Sequence, residues 1–495
     1  MENKYQWRRS REVVERIVIQ GTLVLETPAH FGNGDAESYT DMPLFRDPAT
    51  GKALLTGASL AGALRNYLRE CELGYNVAEE KNGRTHAELL FGHLDEPKEQ
   101  TVHSWLMIDD SCCKDEVQVE LRDGVGIDPQ TRTAAKKMKY DIELLPAGTE
   151  FELSFELWRP ENEAEHKMLY DALLYCLHGL QERHIHLGQR KRRGLGQCTM
   201  KDWKIWRFDM KTAQGLGGWL EFDPKNVAPH ETVLPAVPVF KDRREQVTLR
   251  ASFQLDSSLM IRSGDSLVDM AHLKSKRDGI AQPILPGTGI TGALRARALR
   301  IANTVLSSKP RVAKDLVEGM FGKAMRRMED DKKSTAENDD QPTGSRVLVK
   351  ETVVKNAINN LVQSRVKIDR FTGGVYPGAL FSQQPLFGKK DTEIEINLTL
   401  RKPNDPSKNK NFDAEVGLLL LVLKDLWTVD LPLGGESSVG RGRLIGKRAT
   451  LKILDKEYIL TQMNGKLMIS NSQGRKEEEL KAELENYVRK LQEVA

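Results

Sequence analysis

Residues 56–65 read TGASLAGALR, and residues 286–295 read PGTGITGALR. The second stretch repeats the first at an offset of 230 residues, sharing an early glycine and the closing Gly-Ala-Leu-Arg. The same offset carries Gly34-Asp35 onto Gly264-Asp265 and Phe91-Gly92 onto Phe321-Gly322. Farther along, Ile127-Asp128 meets Ile368-Asp369 at an offset of 241. Leu187-Gly188 and Gly194-Leu195-Gly196 then meet Leu433-Gly434 and Gly440-Arg441-Gly442 at 246. Matching blocks in one order, with slowly growing offsets, mean two copies of one domain that differ by loop insertions.

Each copy has the same layout. An alternating apolar stretch opens it, residues 13–25 in the first and 247–255 in the second, and predicts a strand. A polar loop follows, carrying Asp35 and Asp41 in the first copy and Asp265 and Asp269 in the second. The quoted repeat then starts a helix. Ser59 is the expected N-cap, and Leu60, Leu64, Tyr67 and Leu68 share one face, as do Ile290, Leu294, Ala298 and Ile301. Gly62 and Gly292 sit inside these helices, where glycine costs roughly 1 kcal/mol relative to alanine. Such a repeated glycine implies either the close approach of another backbone or a phosphate, or packing against a sheet. A second helix is predicted at 163–179 and at 413–427, each followed by a glycine-rich block and a closing strand. Strand, helix, strands, helix, strand is the order of an α+β ferredoxin-like or RRM-like sandwich, here in tandem. Residues 110–146 and 325–384 exceed what that fold needs, and insertions this long are commonly functional. The charged stretch 329–344 is expected to be mobile. The resulting division is a first domain at 1–212, a Gly- and Pro-rich linker at 213–245, a second domain at 246–455 and an extension at 456–495. That extension holds a charged helix from 477 with Leu480, Leu484, Val488 and Leu491 on one side, free to dock on the body or on a neighbour.

Composition limits the function classes. With 495 residues, 39% hydrophobic and 29% charged, the chain reads as globular. The N-terminus lacks the apolar core of a secretory signal, and no apolar run reaches the length of a membrane span, so the expectation is a cytoplasmic protein without a membrane partner. Five cysteines without CxxC spacing argue against zinc and a disulfide framework. Net charge is only +3, so bulk charge does not coat a nucleic acid. Positive charge is local instead: Arg190-Lys191-Arg192-Arg193, Lys136-Lys137-Met138-Lys139, and Arg295, Arg297 and Arg300. Residues 435–441 read GxxxxGR and lack the Lys-Ser/Thr of a P-loop. His184 and His186 have no third ligand in the sequence nearby, and Trp203 and Trp206 read as core residues rather than a base-stacking platform.

Taken together, four pieces resemble the RAMP superfamily, and specifically the backbone subunits of type III CRISPR effector complexes. They are DMPLFRDPATG at 41–51, the helix entry at 57–65, Ile127-Asp128-x-x-Thr131, and the loop LGQRKRRGLG at 187–196, whose second version is LGGESSVGRGR at 433–443. The fused pair is most similar to the two-copy subunit of type III-D systems. The resemblance implies a chain that binds a guide (CRISPR) RNA, joins other subunits of a type III complex, and cleaves complementary single-stranded target RNA at regular intervals as an antiviral endonuclease. Its implied RNA-binding residues are Ser59, Arg65, Arg190, Lys191, Arg192, Arg193, Gly194 and Gly196, with Thr288, Arg295, Gly435, Ser437, Ser438, Arg441 and Arg443 in the second copy. Glycine-loop N–H groups and helix N-termini can hold phosphate without reading sequence.

The two insertions become β-hairpin "thumbs", with Ile127-Asp128 and Ile368-Asp369 near their returning arms. The implied catalytic residues are Asp41 and Asp269, which would hold Mg²⁺ or another divalent cation, or help deprotonate the RNA 2′-hydroxyl. Asp269 lacks the proline that follows Asp41 by two residues. The same aspartates could instead cap their loops, leaving a non-catalytic guide-binding scaffold. A guide-processing endonuclease of the same superfamily would rely on a histidine such as His103 or His272.

Overall fold

Strand β1 (Val13–Leu25) turns the opening alternation into two faces. In the computed structural model, which describes residues 12–32, 34, 40–77, 85–95, 100–128, 131–264, 268–277, 279–323, 342–463 and 465–494, Ile17, Ile19, Leu23 and Leu25 are buried in the main core of the first copy. Its pairing with the closing strand at Cys198–Asp209 slips between Gln20 and Thr22. The slip falls at Gly21, where a Cβ would stand 2.8 Å from Met200 Cε and 2.9 Å from Trp203 Cε3, so only glycine lets those side chains cross the bulge. Asp35, Asp265 and residues 329–341 of the stretch expected to be mobile lie outside the described residues.

Helix α1 (Gly57–Leu73) follows, then the short α2 (His86–Phe91) and β2 (Leu106–Ile108). The cap of α1 corrects the sequence expectation. Thr56, not Ser59, is the N-cap: its extended backbone leads into the helix and its hydroxyl oxygen accepts the Ser59 N–H at 3.2 Å. Gly57 cannot be larger, because a Cβ would overlap the Ile108 carbonyl of β2. After the hairpin of β3 (Glu120–Ile127) and β4 (Ala134–Leu144) come β5 (Glu150–Pro160), α3 (Glu163–Gln181) and β6 (Cys198–Asp209). The first sheet runs in the order β6-β1-β5-β2, and every pairing in it is antiparallel. Leu60, Leu64 and Leu68 of α1 and Leu173 and Leu177 of α3 bury against it.

The segment expected to be a linker is not a free tether. Helix α4 (Ala213–Leu220) and the residues after it set Trp219 and Phe222 against Val18, Trp206 and Phe208 on the outer side of the sheet. Leu234 joins the main core, and the Arg243 N–H donates to the Cys71 carbonyl at 2.8 Å. Trp203 and Trp206 are 6% and 0% exposed, as core residues should be.

The second copy opens with β7 (Glu245–Leu255) and the short β8 (Met270–His272), then α5 (Gly287–Val305) and α6 (Pro310–Phe321). Its remaining principal elements are β9 (Val347–Val349), the hairpin of β10 (Gln363–Ile368) and β11 (Val375–Gln384), β12 (Ile394–Lys402), α7 (Phe412–Trp427) and β13 (Leu444–Ile453). The sheet order is β9-β12-β7-β13, extended by β14 (Lys456–Met463) and β15 (Lys466–Ser470). Counted along each copy, the first strand therefore lies between the third and the fourth, with the second outside the third. Strand β9 falls within residues 325–384, which the sequence reading set aside as an insertion; three residues are too few to show alternation. Helix α8 (Glu477–Gln492) docks on α7, where Gly417 leaves room for the Tyr487 carbonyl and Leu480, Leu484 and Leu491 are buried.

The chain forms two compact units. One contains Ile142–Lys191 and Leu195–Arg244 together with the residues up to Leu121; the other contains Arg122–Asp141, Arg192–Gly194 and Glu245 onward. Among the described residues no helix is long and apolar enough to cross a membrane.

Candidate nucleic-acid interface

Each candidate aspartate stands one residue before a parallel bridge to the returning arm of a hairpin. Met42 bridges Ile142 of β4, and Met270 of β8 pairs with Gln383 of β11. The offset between Ile142 and Gln383 is again 241, so the two arrangements are copies of each other. In the first copy Glu143 fixes the loop: its carboxylate accepts the Leu44 N–H at 3.1 Å and the Thr40 hydroxyl at 3.2 Å, and its N–H donates to the Met42 carbonyl. In the second copy Asp269 is exposed, and its Oδ2 accepts from the Ser382 N–H at 2.7 Å and the Ser382 hydroxyl at 2.8 Å. These bonds, the backbone N–H first and the hydroxyl second, hold the Asp269 carboxyl below the usual carboxylate range, so it is ionised at neutral pH.

The glycine loops also share one backbone. Gly188, Gly194 and Gly196 have φ of 82°, 88° and 71°, and Gly434, Gly440 and Gly442 have 82°, 87° and 80°. A non-glycine residue takes the left-handed region in each, Arg190 at φ 54° and Glu436 at φ 60°. Gly196 donates to the Pro28 carbonyl at 2.8 Å and Gly442 to the Ser258 carbonyl at 2.7 Å. The loops reach the residue after each aspartate: Arg190 Nη2 lies 3.5 Å from Met42 Sδ, and Gln383, which donates to Glu436, lies 3.5 Å from Met270 Sδ. Aspartate loop, hairpin base and glycine loop thus converge twice.

The other expected residues divide by exposure. Ser59, Lys191, Thr288, Ser438 and Arg443 are exposed, and Arg65, Arg295, Gly435 and Ser437 are half-buried. Gly62 and Gly292 are exposed, and among the described residues no atom outside their own helix turns lies within 4 Å of where their Cβ would be, so neither packs against another described element. Gly194 and Gly196 are buried turn residues. Arg192 donates to the Ser345 carbonyl at 2.6 Å. Arg441 departs from the expectation. It is 3% exposed, and its guanidinium lies 3.3 Å from Glu436 and donates to Gln363 at 3.0 Å and Gln383 at 3.2 Å. It holds the foot of the hairpin rather than presenting charge at the surface.

Ile127-Asp128 and Ile368-Asp369 lie at the tips of the hairpins, ending the outgoing arms rather than beginning the returning ones. Asp128 Oδ1 accepts the Thr131 N–H at 2.8 Å, and Asp369 Oδ1 accepts the Phe371 N–H at 2.9 Å, so both aspartates build turns. The tip of the second hairpin stands about 25 Å along the strand from Gln383 at the usual rise. Both hairpins carry exposed apolar side chains, among them Val125, Ile127, Met138, Phe371 and Leu380.

His272 is 3% exposed and pushed down to about 4 by burial, so it is neutral at neutral pH; His103 is exposed. His184 is paired with the Tyr67 hydroxyl at 3.3 Å. Among the described residues no three His, Cys, Asp or Glu side chains converge as a metal cage. The sequence reading missed Ser382, Gln383, Glu143 and Glu436. The offset of 241 places 141–143 opposite 382–384, a signal that could have drawn attention to Glu143, Ser382 and Gln383, and the offset of 246 places Glu436 opposite Arg190 in the glycine loop.

A family model, that of the RAMP superfamily, matches residues 22–199 and again residues 254–445. No curated protein matches the chain.

Proposed function

Because the chain belongs to the RAMP superfamily, twice over, and that membership points to a CRISPR-associated protein, we propose that it is a guide-RNA-binding backbone subunit of a type III CRISPR effector complex. In this reading each copy is a ferredoxin-like module, supported by the strand order β6-β1-β5-β2 and its counterpart in the second sheet. The two-copy arrangement is that of type III-D subunits, and the complex works in the cytoplasm with guide RNA, target RNA and other subunits. The exposed small residues at the starts of α1 and α5, together with Lys191 and Arg443, track guide phosphates without reading bases. The hairpins act as thumbs whose apolar arms part the guide–target duplex at regular intervals.

One observation carries the reading: each copy sets an aspartate beside the base of a long hairpin and the foot of a glycine loop. A nucleotide displaced by the hairpin would bring its 2′-hydroxyl to that aspartate. The carboxylate accepts a hydrogen bond from the hydroxyl and draws its proton as the 2′-oxygen attacks the adjacent phosphorus. The phosphorus–O5′ bond breaks, O5′ takes a proton from water, and the products are a 2′,3′-cyclic phosphate and a 5′-hydroxyl. A lone carboxylate holds Mg²⁺ only together with RNA phosphate oxygens; Asp41 or Asp269 would supply that carboxylate, and the cation would neutralise phosphate charge.

A second reading, a scaffold without catalysis, draws on the Asp269–Ser382 hydrogen bonds, which also suit a loop cap. A histidine-dependent guide-processing enzyme fits less well, since His272 is buried and tied to the Ile261 N–H and the Ile284 carbonyl. The test is the assembled complex with guide, labelled complementary RNA and Mg²⁺. Asp41→Ala and Asp269→Ala should each remove one product of the ladder, slowing that cut about 100-fold or more, while assembly persists. An intact ladder in both variants leaves the scaffold reading standing.

A further inference from the structure

Asp269 is the last residue before β8, and Ser382 is the residue before Gln383 in β11. Since Met270 and Gln383 are parallel partners, Asp269 and Ser382 stand side by side at the mouth of that pair. Gln383 is 1% exposed and cannot shift easily: Arg441 donates to its side-chain Oε1, and its side-chain Nε2 donates to Glu436. Ser382 is therefore held in place by a locked neighbour, and it holds Asp269 in turn. Three hydrogen bonds join the two residues. The Ser382 N–H and hydroxyl both donate to Asp269 Oδ2, and the Asp269 N–H donates back to the Ser382 hydroxyl oxygen at 3.1 Å. No hydrogen bond ties Oδ1 to another described side chain.

We propose that Ser382 is a positioning residue for the second copy's cleavage site, fixing the Asp269 carboxylate by Oδ2 so that Oδ1 is the oxygen offered to the RNA. The inference rests on the reading of Asp269 given above. An exposed aspartate on a bend would otherwise sample several rotamers, and a carboxylate must be held in one geometry to accept a proton from a displaced nucleotide. The hydroxyl provides what the backbone alone does not: it closes a ring with the Asp269 N–H and so fixes main chain and side chain together.

The test compares wild type, Ser382→Ala, Ser382→Thr and Asp269→Ala in the assembled complex, measuring single-turnover rates of each cut and the affinity for target RNA. Ser382→Ala should slow only the cut lost in Asp269→Ala, by roughly tenfold, the scale of a lost supporting hydrogen bond. Target affinity, the other cut and the melting temperature should not change. The loss is partial because the Ser382 N–H remains. Ser382→Thr, which keeps the hydroxyl, should restore the rate to within about twofold, since the ring of hydrogen bonds re-forms. Wild-type cutting by Ser382→Ala beside a dead Asp269→Ala site overturns the positioning role alone. A full ladder from Asp269→Ala overturns the catalytic reading and this inference with it.

Discussion

The loop at 187–196 and the loop at 433–442 follow the same path, glycine for glycine, around different interiors. In the first, Leu195 is buried, and Arg190 takes the left-handed corner. In the second, Arg441 is buried where Leu195 would be, and Glu436 takes the corner, with Arg262, Arg365, Arg441 and Gln383 gathered on its carboxylate. Burial alone would raise the Glu436 carboxyl, but the Gln383 hydrogen bond and the arginine charges outweigh it and hold it below the usual range. Ile142 of the first hairpin likewise becomes Gln383 in the second. One backbone thus tolerates an apolar foot and a polar one, provided the whole set changes together.

That comparison can be broken by changing one member alone. Arg441→Leu, which installs the first copy's residue, leaves Glu436 and Gln383 without their central partner and should lower unfolding free energy by about 4 kcal/mol. Adding Gln383→Ile, which makes both buried positions apolar while Glu436 keeps Arg262 and Arg365, should recover part of that loss, because an apolar replacement of buried polar partners is close to neutral. Denaturant unfolding of the chain reads both. A silent Arg441→Leu would show that the network is ornamental.

A smaller effect separates the glycines. Gly194 and Gly440 have matching φ, but a Cβ on Gly194 would overlap the Glu351 backbone nitrogen, whereas Gly440 has open space around it. Gly194→Ala should cost about 3 kcal/mol and Gly440→Ala about 1 kcal/mol, the latter being backbone strain alone. Equal costs in the same unfolding assay would mean that the neighbour can give way.

An effect confined to acid pH sits at His272, whose place in the first copy is taken by Leu44. Burial pushes His272 down to about 4, while in the unfolded chain it titrates near 6.5. The unfolded state binds the proton more readily, so the contribution is complete above about pH 6.5 and disappears as pH falls toward 4, by about 3 kcal/mol. His272→Leu should therefore flatten the fall in stability between those limits. An unchanged slope would assign acid sensitivity to other groups.

Much of the fold was legible before any coordinates. The face of α1 through Leu60, Leu64 and Leu68 and the strand at 13–25 follow from periodicity, since a side chain's facing is fixed by its spacing. Thr56 and Ser59 are both good caps, and the choice between them depends on where β2 leaves room for Gly57. Strand β9 escaped notice because its three residues gain their partner only from β12, which lies far along the chain. The site was legible in its glycines, whose positive φ restricts the residue type. It was not legible in Ser382 or Gln383, where a polar residue in a strand signals nothing until its partner is known.

Order and repetition are what the amino-acid sequence determined by itself: two copies, their helix faces, their glycine turns and their aspartate loops, because spacing and conformational restriction are local properties. Tertiary structure alone decided which polar residues matter. It turned Arg441 inward, placed Ile127-Asp128 and Ile368-Asp369 at hairpin tips, laid the linker against the first unit and set Ser382 beside Asp269. Each of those outcomes depends on which distant strand fills the space next to a residue, and burial and hydrogen-bond partnership are fixed only when the chain closes on itself.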